Sequence, residues 1–235
     1  SDEFDNSHEY TVAWVDCLAK GSAAGRGVFS FGNHAEDGQL LLDDRRRLTV
    51  PLTPPISLIN NLSLKLFNAN YYRMHKPGRH ARRCSYDPFF YPLDSILHWN
   101  RIYGRKGFQQ YQCVIPDGAA EGAMQEILAG IAASGSGSFL AVMKRCGSVS
   151  SPGLMSFPMQ GVSLALDFPQ HDRLQPGLFR RLDCIVREAH GRLYPAKDAH
   201  MNASDFQAFY PAWQQVERLR DPALLSLFWK RVTQA

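Results

Sequence analysis

The sequence predicts an α+β fold, an antiparallel sheet with helices covering one face, and three observations carry that prediction. Short runs with period-two alternation follow one another across brief glycine- and proline-rich links, as strands of antiparallel layers do. Between them stand segments whose apolar residues recur at helical spacing, long enough to cover a sheet face. With 235 residues, 45% of them hydrophobic and 20% charged, the chain can also bury a sizeable core.

Taken in order, Glu9 to Leu18 alternates as a strand, with Tyr10, Val12, Trp14 and Asp16 on one face. Lys20 to Gly27 is glycine-spaced but lacks the lysine-serine ending of a phosphate-binding loop, so it reads as a hairpin link into a strand at Val28 to Phe31. Glu36 to Pro55 has no periodicity and predicts a mobile surface loop. Ile56 to Met74 is more helical, with an intermittent apolar stripe of Leu62, Leu66, Phe67 and Asn70. It runs into a basic patch of Arg73, His75, Lys76, Arg79, His80, Arg82 and Arg83. Such a patch is either a solvated segment or a contact for an anionic surface, phosphate or lipid headgroup.

Phe108 to Ile115 alternates cleanly, and Pro116-Asp117 then opens a helix with Asp117 as the expected N-cap. Met124, Ile127, Leu128 and Ile131 mark that helix, which ends at the Ser134 to Gly137 turn. Phe139 to Arg145 and Gly161 to Phe168 are strands. The second sets Val162, Leu164, Leu166 and Phe168 against a small polar face of Ser163, Ala165 and Asp167. Leu178, Leu182, Ile185, Val186 and Ala189 define the next helix, opened by Pro176. After a short strand at Arg192 to Tyr194, Ser204 to Gln207 has a capping-box pattern for a helix broken by Pro211, and the tail is helical and amphipathic.

Composition removes several classes of function. A net charge of +4 gives no support for nucleic-acid binding. No apolar run approaches the ~18 residues of a membrane helix, and the first residues are acidic and polar where a secretory leader is basic and then apolar. The five cysteines lack a CxxC pair and argue against a zinc site or a disulfide framework. What remains is a polar shelf. Period-two geometry puts Phe108, Gln110, Gln112 and Val114 on one face, so two side-chain amides stand about 7 Å apart along one strand. They are either ligand-binding groups or the solvated side of an ordinary strand. Leu140, Val142 and Lys144, Ser163 and Ala165, and Tyr10 and Trp14 offer a comparable mixed face on other strands, the size of half a ligand site or a domain interface.

The runs VAWVD at 12–16, FFYPLDSILHWNRIYGRKGFQQYQCVIP at 89–116, ASGSGSFLAVMKRCG at 133–147, MSFP at 155–158, LDFP at 166–169 and GRLYPAKDAHMNASDFQAFYP at 191–211 resemble the C-terminal part of FAD-linked oxidoreductases of the vanillyl-alcohol-oxidase superfamily. The resemblance implies that residues 1–220 form a substrate or cap domain, with a mobile basic segment at about 36–85. Residues 221–235 would be a C-terminal helix returning to an FAD-binding domain, toward which the open sheet face is turned. That domain would lie outside the present sequence, so this stretch alone is expected neither to retain FAD nor to turn over substrate.

By the same resemblance, Lys197 and Tyr194 are the catalytic and FAD-contacting residues, and Gln110, Gln112, Lys144, Trp14, Leu140, Val142, Phe90 and Ala165 line the substrate pocket. Ala165 and Phe90 stand where a sugar-oxidising member of the superfamily has a cysteine and a tyrosine, which alters the shape and polarity of the pocket. The implied activity is oxidation of a secondary hydroxyl of a sugar, such as a polyprenylphosphoryl pentose, by hydride transfer to FAD. A partner NAD-dependent reductase would complete an epimerisation. The alternatives are a sugar-lactone oxidase and a non-enzymatic module binding carbohydrate or lipid phosphate. The expected compartment is cytoplasmic or periplasmic, with peripheral membrane contact.

Overall fold

In the computed structural model, which describes residues 7–38, 48–75, 78, 80–170, 176–198 and 200–234, the longest ladder is the antiparallel pair β5 (Phe108–Pro116) and β7 (Gly161–Pro169). Phe108 stands opposite Pro169 and Pro116 opposite Gly161, so the pairing runs the full length of both strands. β6 (Val142–Cys146) pairs with the outer side of β7, β1 (Tyr10–Val15) with β6, and β2 (Gly27–Gly32) closes a hairpin on β1. β8 (Arg192–Leu193) flanks β5. The order is β2-β1-β6-β7-β5-β8, antiparallel throughout, as the α+β reading requires. A separate parallel pair joins β3 (Leu48–Thr49) to β4 (Ile96–Leu97).

One face of this sheet is closed by helices. Tyr111, Cys113, Ile115, Leu164, Leu166 and Phe168 pack there with Ile127 and Ile131 of α3 (Asp117–Ser134) and Leu182 and Val186 of α4 (Pro176–Glu188), all buried. Each such aliphatic side chain taken from water contributes about 1.5–3 kcal/mol, which is why the period-two and helical patterns meet on this surface. α5 (Ala203–Phe209), α6 (Trp213–Leu219) and α7 (Leu227–Thr233) extend the layer, joined to it through Phe206, Phe209 and Val232.

Helix boundaries follow local chemistry, in places different from that read in the sequence. Asp117 is not the cap of α3: it is the first helical residue, after Pro116, and its carboxylate accepts from Arg145 and Gln160 instead. Asn202, two residues before the expected Ser204, caps α5 by accepting the Asp205 N–H at 2.8 Å. The Asp205 carboxylate in turn accepts from the Asn202 side-chain amide at 2.7 Å, which holds the capping side chain in place.

The larger difference concerns α1 (Asn61–Met74), which Asn60 and Ser63 open with a reciprocal capping box. Its buried side is Leu64 and Asn68, with Tyr71 half-buried beside Trp14, whereas Leu62 is 69% and Leu66 64% exposed. Of the apolar stripe, Leu62 and Leu66 therefore point outward, while Phe67 meets the buried Phe139 ring edge to face at 5.6 Å. The reason lies outside the helix: Asn68 Nδ2 donates at 2.7 Å to the buried carboxylate of Asp16, and that bond, with the packing of Tyr71 on Trp14, sets the rotation of the helix. α1 is thus a docked helix within the basic segment of about 36–85. Arg45, Arg46, Arg47, Lys76 and Arg79 lie outside the described residues. Among the described residues no helix is long and apolar enough to cross a membrane.

Candidate functional site

The sheet face away from α3 and α4 is organised in rows that cross the strands, because antiparallel partners project to the same side. Trp14 pairs with Val142, Val142 with Ala165, and Ala165 with Gln112. Tyr194, just beyond β8, continues the row by donating its N–H to the Gln112 carbonyl at 2.9 Å. Two residues along, Lys144, Ser163, Val114 and Arg192 form a second row. On the other side of the first row, Gln110 stands directly opposite Asp167. Residues far apart in sequence thereby share one surface.

The first row is anchored at one end and open at the other. Trp14 is only 7% exposed: its indole N–H donates to the Phe139 carbonyl at 3.0 Å and its ring lies 4.6 Å from Tyr71 of α1. It backs the site as a fixed wall. Val142, Ala165, Gln112 and Gln110 are half-buried, and Lys144 is exposed. Leu140 precedes β6, where the ladder gives way to a side chain. The Ser138 hydroxyl accepts the N–H groups of both Leu140 and Asp167, at 3.1 and 3.0 Å, and holds Leu140 beside the Asp167 end of β7.

Lys197 ends the 3₁₀ turn Pro195–Lys197 and is exposed. The turn is held firmly. Asp198 Oδ1 accepts the N–H groups of His200 and Met201 at 2.9 and 2.7 Å, while its Oδ2 takes Arg231 of α7 at 2.5 Å. Tyr194, before the turn, stacks on Phe157 with ring centroids 4.5 Å apart. Phe90 is more remote. It belongs to α2 (Tyr86–Phe90) and meets Tyr10 edge to face at 4.9 Å, near the β1–β2 edge and four residues along β1 from Trp14. The structure therefore gathers Gln110, Gln112, Val142, Ala165, Leu140, Lys144 and Tyr194 on one face, brings Lys197 within electrostatic reach of Asp167, and leaves Phe90 at a far corner.

Asp167 is the residue that reading the sequence for site residues missed. It is 1% exposed, and burial pushes its carboxyl up to about 6, against hydrogen bonding from Gln110 and the positive charge of Lys197, which both favour the ionised form. Its Oδ1 is buried without a hydrogen-bond partner. Tyr103, from the 3₁₀ turn Trp99–Tyr103, contributes a second buried and unpartnered oxygen, and burial and the Asp167 charge both raise its phenol. Gly104 permits that turn, since at its positive φ of 74° a Cβ would lie 2.6 Å from the Ile56 carbonyl carbon. Parity had put Asp167 on the polar face. The missing signal was register, which alone sets it opposite Gln110.

Among the described residues no group of three His, Cys, Asp or Glu side chains could hold a metal ion. Cys17 and Cys113 are buried free thiols, pushed up by burial to about 11 and about 12, and behave as small core hydrophobes.

A six-stranded antiparallel sheet, with helices on one face and a graded apolar-to-polar surface on the other, defines the class of domain: α+β, with one sheet face open beyond α1. No family model matches the chain. It is 35% identical over 238 residues to decaprenylphosphoryl-beta-D-ribose oxidase of Mycolicibacterium smegmatis, a match covering 94% of this chain and 50% of that protein. It is also 28% identical over 230 residues to a Streptomyces coelicolor protein described as an uncharacterized protein in the mprA 5' region, covering 92% of this chain and 62% of the other. The chain thus spans between half and about three fifths of these relatives, and the similarity to the oxidase agrees with the resemblance to part of an FAD-linked oxidase drawn from the motifs.

Proposed function

We propose that this chain is the substrate-binding part of an FAD-dependent oxidoreductase that oxidises a secondary hydroxyl of a sugar, a polyprenylphosphoryl pentose being the favoured substrate class. The observation that carries the reading is the single face on which Gln110, Gln112, Ala165, Val142 and Lys144 stand, with Lys197 within electrostatic reach of it, in a chain 35% identical to a decaprenylphosphoryl-beta-D-ribose oxidase. The donor set fits both ligands. Two amides and an ammonium can orient hydroxyl groups, Leu140 and Val142 can lie under the apolar face of a sugar ring, and the exposed Lys197 on a braced turn, with Tyr194 beside it, can contact a flavin. FAD, when bound, supplies the two-electron acceptor. Lys197, carried on a turn braced through Asp198, would supply a positive charge where negative charge develops.

The outward stripe of α1 extends the proposal to an anionic membrane surface. Leu62 and Leu66 are exposed on successive turns of α1, Leu58 before it and Met74 at its end are exposed as well, and the basic residues Arg73, His75, His80, Arg82 and Arg83 follow along the chain. An apolar stretch followed by cations matches an acyl or polyprenyl surface with phosphate headgroups. A reductase partner using NAD would consume the keto product of such an oxidation.

Expression of the uninterrupted gene product tests the central reading. The expected result is a protein carrying flavin that is bleached anaerobically by a polyprenylphosphoryl pentose. A protein that binds the sugar phosphate, carries no flavin and leaves the sugar unaltered would overturn it.

A further inference from the structure

Three groups face the Asp167 carboxylate. From β5 comes the Gln110 amide, from the Pro195–Lys197 turn the Lys197 charge, and from the Trp99–Tyr103 turn the buried Tyr103 hydroxyl. The backbone N–H of Asp167 is already taken by Ser138 Oγ at 3.0 Å. Burying a carboxylate with one oxygen unpartnered is unfavourable, and an apolar residue of similar volume would serve the packing better. Packing therefore gives no reason for an acid at this position, and its consequence for Gln110 does.

An ionised carboxylate only accepts hydrogen bonds, whereas a glutamine has a donating end and an accepting end. Beside a carboxylate, Gln110 must turn its Nε2 inward. Its Oε1 is then left for the ligand side. Beside a protonated acid either end can face inward, and the amide loses its preference.

We propose that Asp167 is a positioning residue that fixes the Gln110 amide with nitrogen inward and oxygen outward, so that this half-buried position presents an acceptor selecting a ligand hydroxyl donor. The nature of that ligand as a sugar rests on the function proposed above; the orienting of Gln110 does not. The positive charge of Lys197 also favours the ionised carboxylate, against its burial, so the amide and the ammonium both act on Asp167. The orientation is set above about pH 6, where Asp167 is ionised, and is released below it.

Two measurements test this. In the ¹⁵N-labelled 235-residue chain, the Gln110 side-chain amide, assigned by its loss in Gln110→Leu, should titrate with a midpoint near 6, and the titration should vanish in Asp167→Asn. A pH-independent Gln110 amide in the wild-type chain, which needs no variant to fold, overturns the proposal, as does a titration that persists in Asp167→Asn. In the uninterrupted flavoprotein, kcat/KM for the sugar should fall about tenfold from pH 8 to pH 5 with the same midpoint. Asp167→Asn should raise KM about tenfold at pH 8, change kcat less than about threefold, and flatten the profile, while Asp167→Glu restores the pH dependence. An Asp167→Asn enzyme with the wild-type profile overturns the proposal. Absence of any sugar turnover would count against the proposed oxidase instead, with the amide titration still deciding the role of Asp167.

Discussion

Asp16 and Asp167 project from the same face of the same sheet, 4% and 1% exposed, and their surroundings have opposite chemistry. Asp16 is saturated: Arg26 donates from Nε and Nη2 at 2.9 and 2.6 Å, Asn68 donates at 2.7 Å, and the Leu18 N–H at 3.1 Å. That node ties the β1–β2 hairpin to α1. Asp167 has an unpartnered oxygen, an amide and an ammonium near it, and a carboxyl pushed up to about 6. A buried acid with every lone pair occupied is a structural joint, and one left incomplete beside a half-open face retains chemistry to use on a ligand.

The comparison can be broken most directly at its structural end. Asp16→Ala removes the acceptor for four N–H groups of three residues and should cost about 3 kcal/mol in urea unfolding, with α1 released, because Arg26 and Asn68 are left without their partner. A loss under 1 kcal/mol would show that the node is not what holds α1.

Lys197→Met tests the functional end. In the flavoprotein proposed above it should slow flavin reduction at saturating sugar by on the order of a hundredfold, about 2.7 kcal/mol, with flavin content unchanged. An unchanged stopped-flow rate would make Lys197 a surface residue of its turn.

Asp167→Asn should behave in the opposite sense to Asp16→Ala. The folded-state carboxyl is held at about 6, above its ordinary 3.8, so the folded chain binds more protons than the unfolded chain between these values and stability falls as pH rises through them. Above pH 6 the ionised acid costs on the order of 2–3 kcal/mol, and below about pH 4 nothing. The amide variant should therefore be more stable than wild type at pH 8 and equal to it at pH 4, read as urea midpoints. Destabilisation at both would make Asp167 a packing residue like Asp16.

On the helix-covered face, His200 packs against the Phe179 and Tyr111 rings, with ring centroids 4.9 and 6.0 Å away, and its Nε2 is 3.0 Å from Asp183 and its Nδ1 2.8 Å from the Gln109 amide. Burial opposes its protonation, but Asp183 and Asp198 outweigh that and raise its pKa above the ordinary 6.5. The cation's contribution is thus complete below pH 6.5 and is lost as pH rises through the higher folded value. His200→Gln should cost more stability at pH 5.5 than at pH 8.5. An equal cost at both would remove the charge from the account.

The smallest effect is expected at the edges of the site. Lys144→Met should raise the sugar KM severalfold and leave the reduction rate nearly unchanged. Vesicle flotation of Leu62→Ser/Leu66→Ser should show weaker binding to anionic vesicles and no change for neutral ones; equal binding by the variant would move the lipid contact away from α1.

The sequence by itself determined the layers. Period two in Phe108 to Ile115 and Gly161 to Phe168, and helical spacing through Ile127, Ile131, Leu182 and Val186, required an antiparallel sheet closed on one side, because those side chains can leave water only there. Parity also chose the face that carries Gln110, Gln112, Lys144 and Ala165. Two things needed the tertiary structure. Strand register set Asp167 opposite Gln110, and no periodicity within one strand contains the offset to another. The rotation of α1 is set by contacts distant in sequence, the buried hydrogen bond from Asn68 to Asp16, 52 residues apart, and the packing of Tyr71 on Trp14, neither of which the local pattern contains.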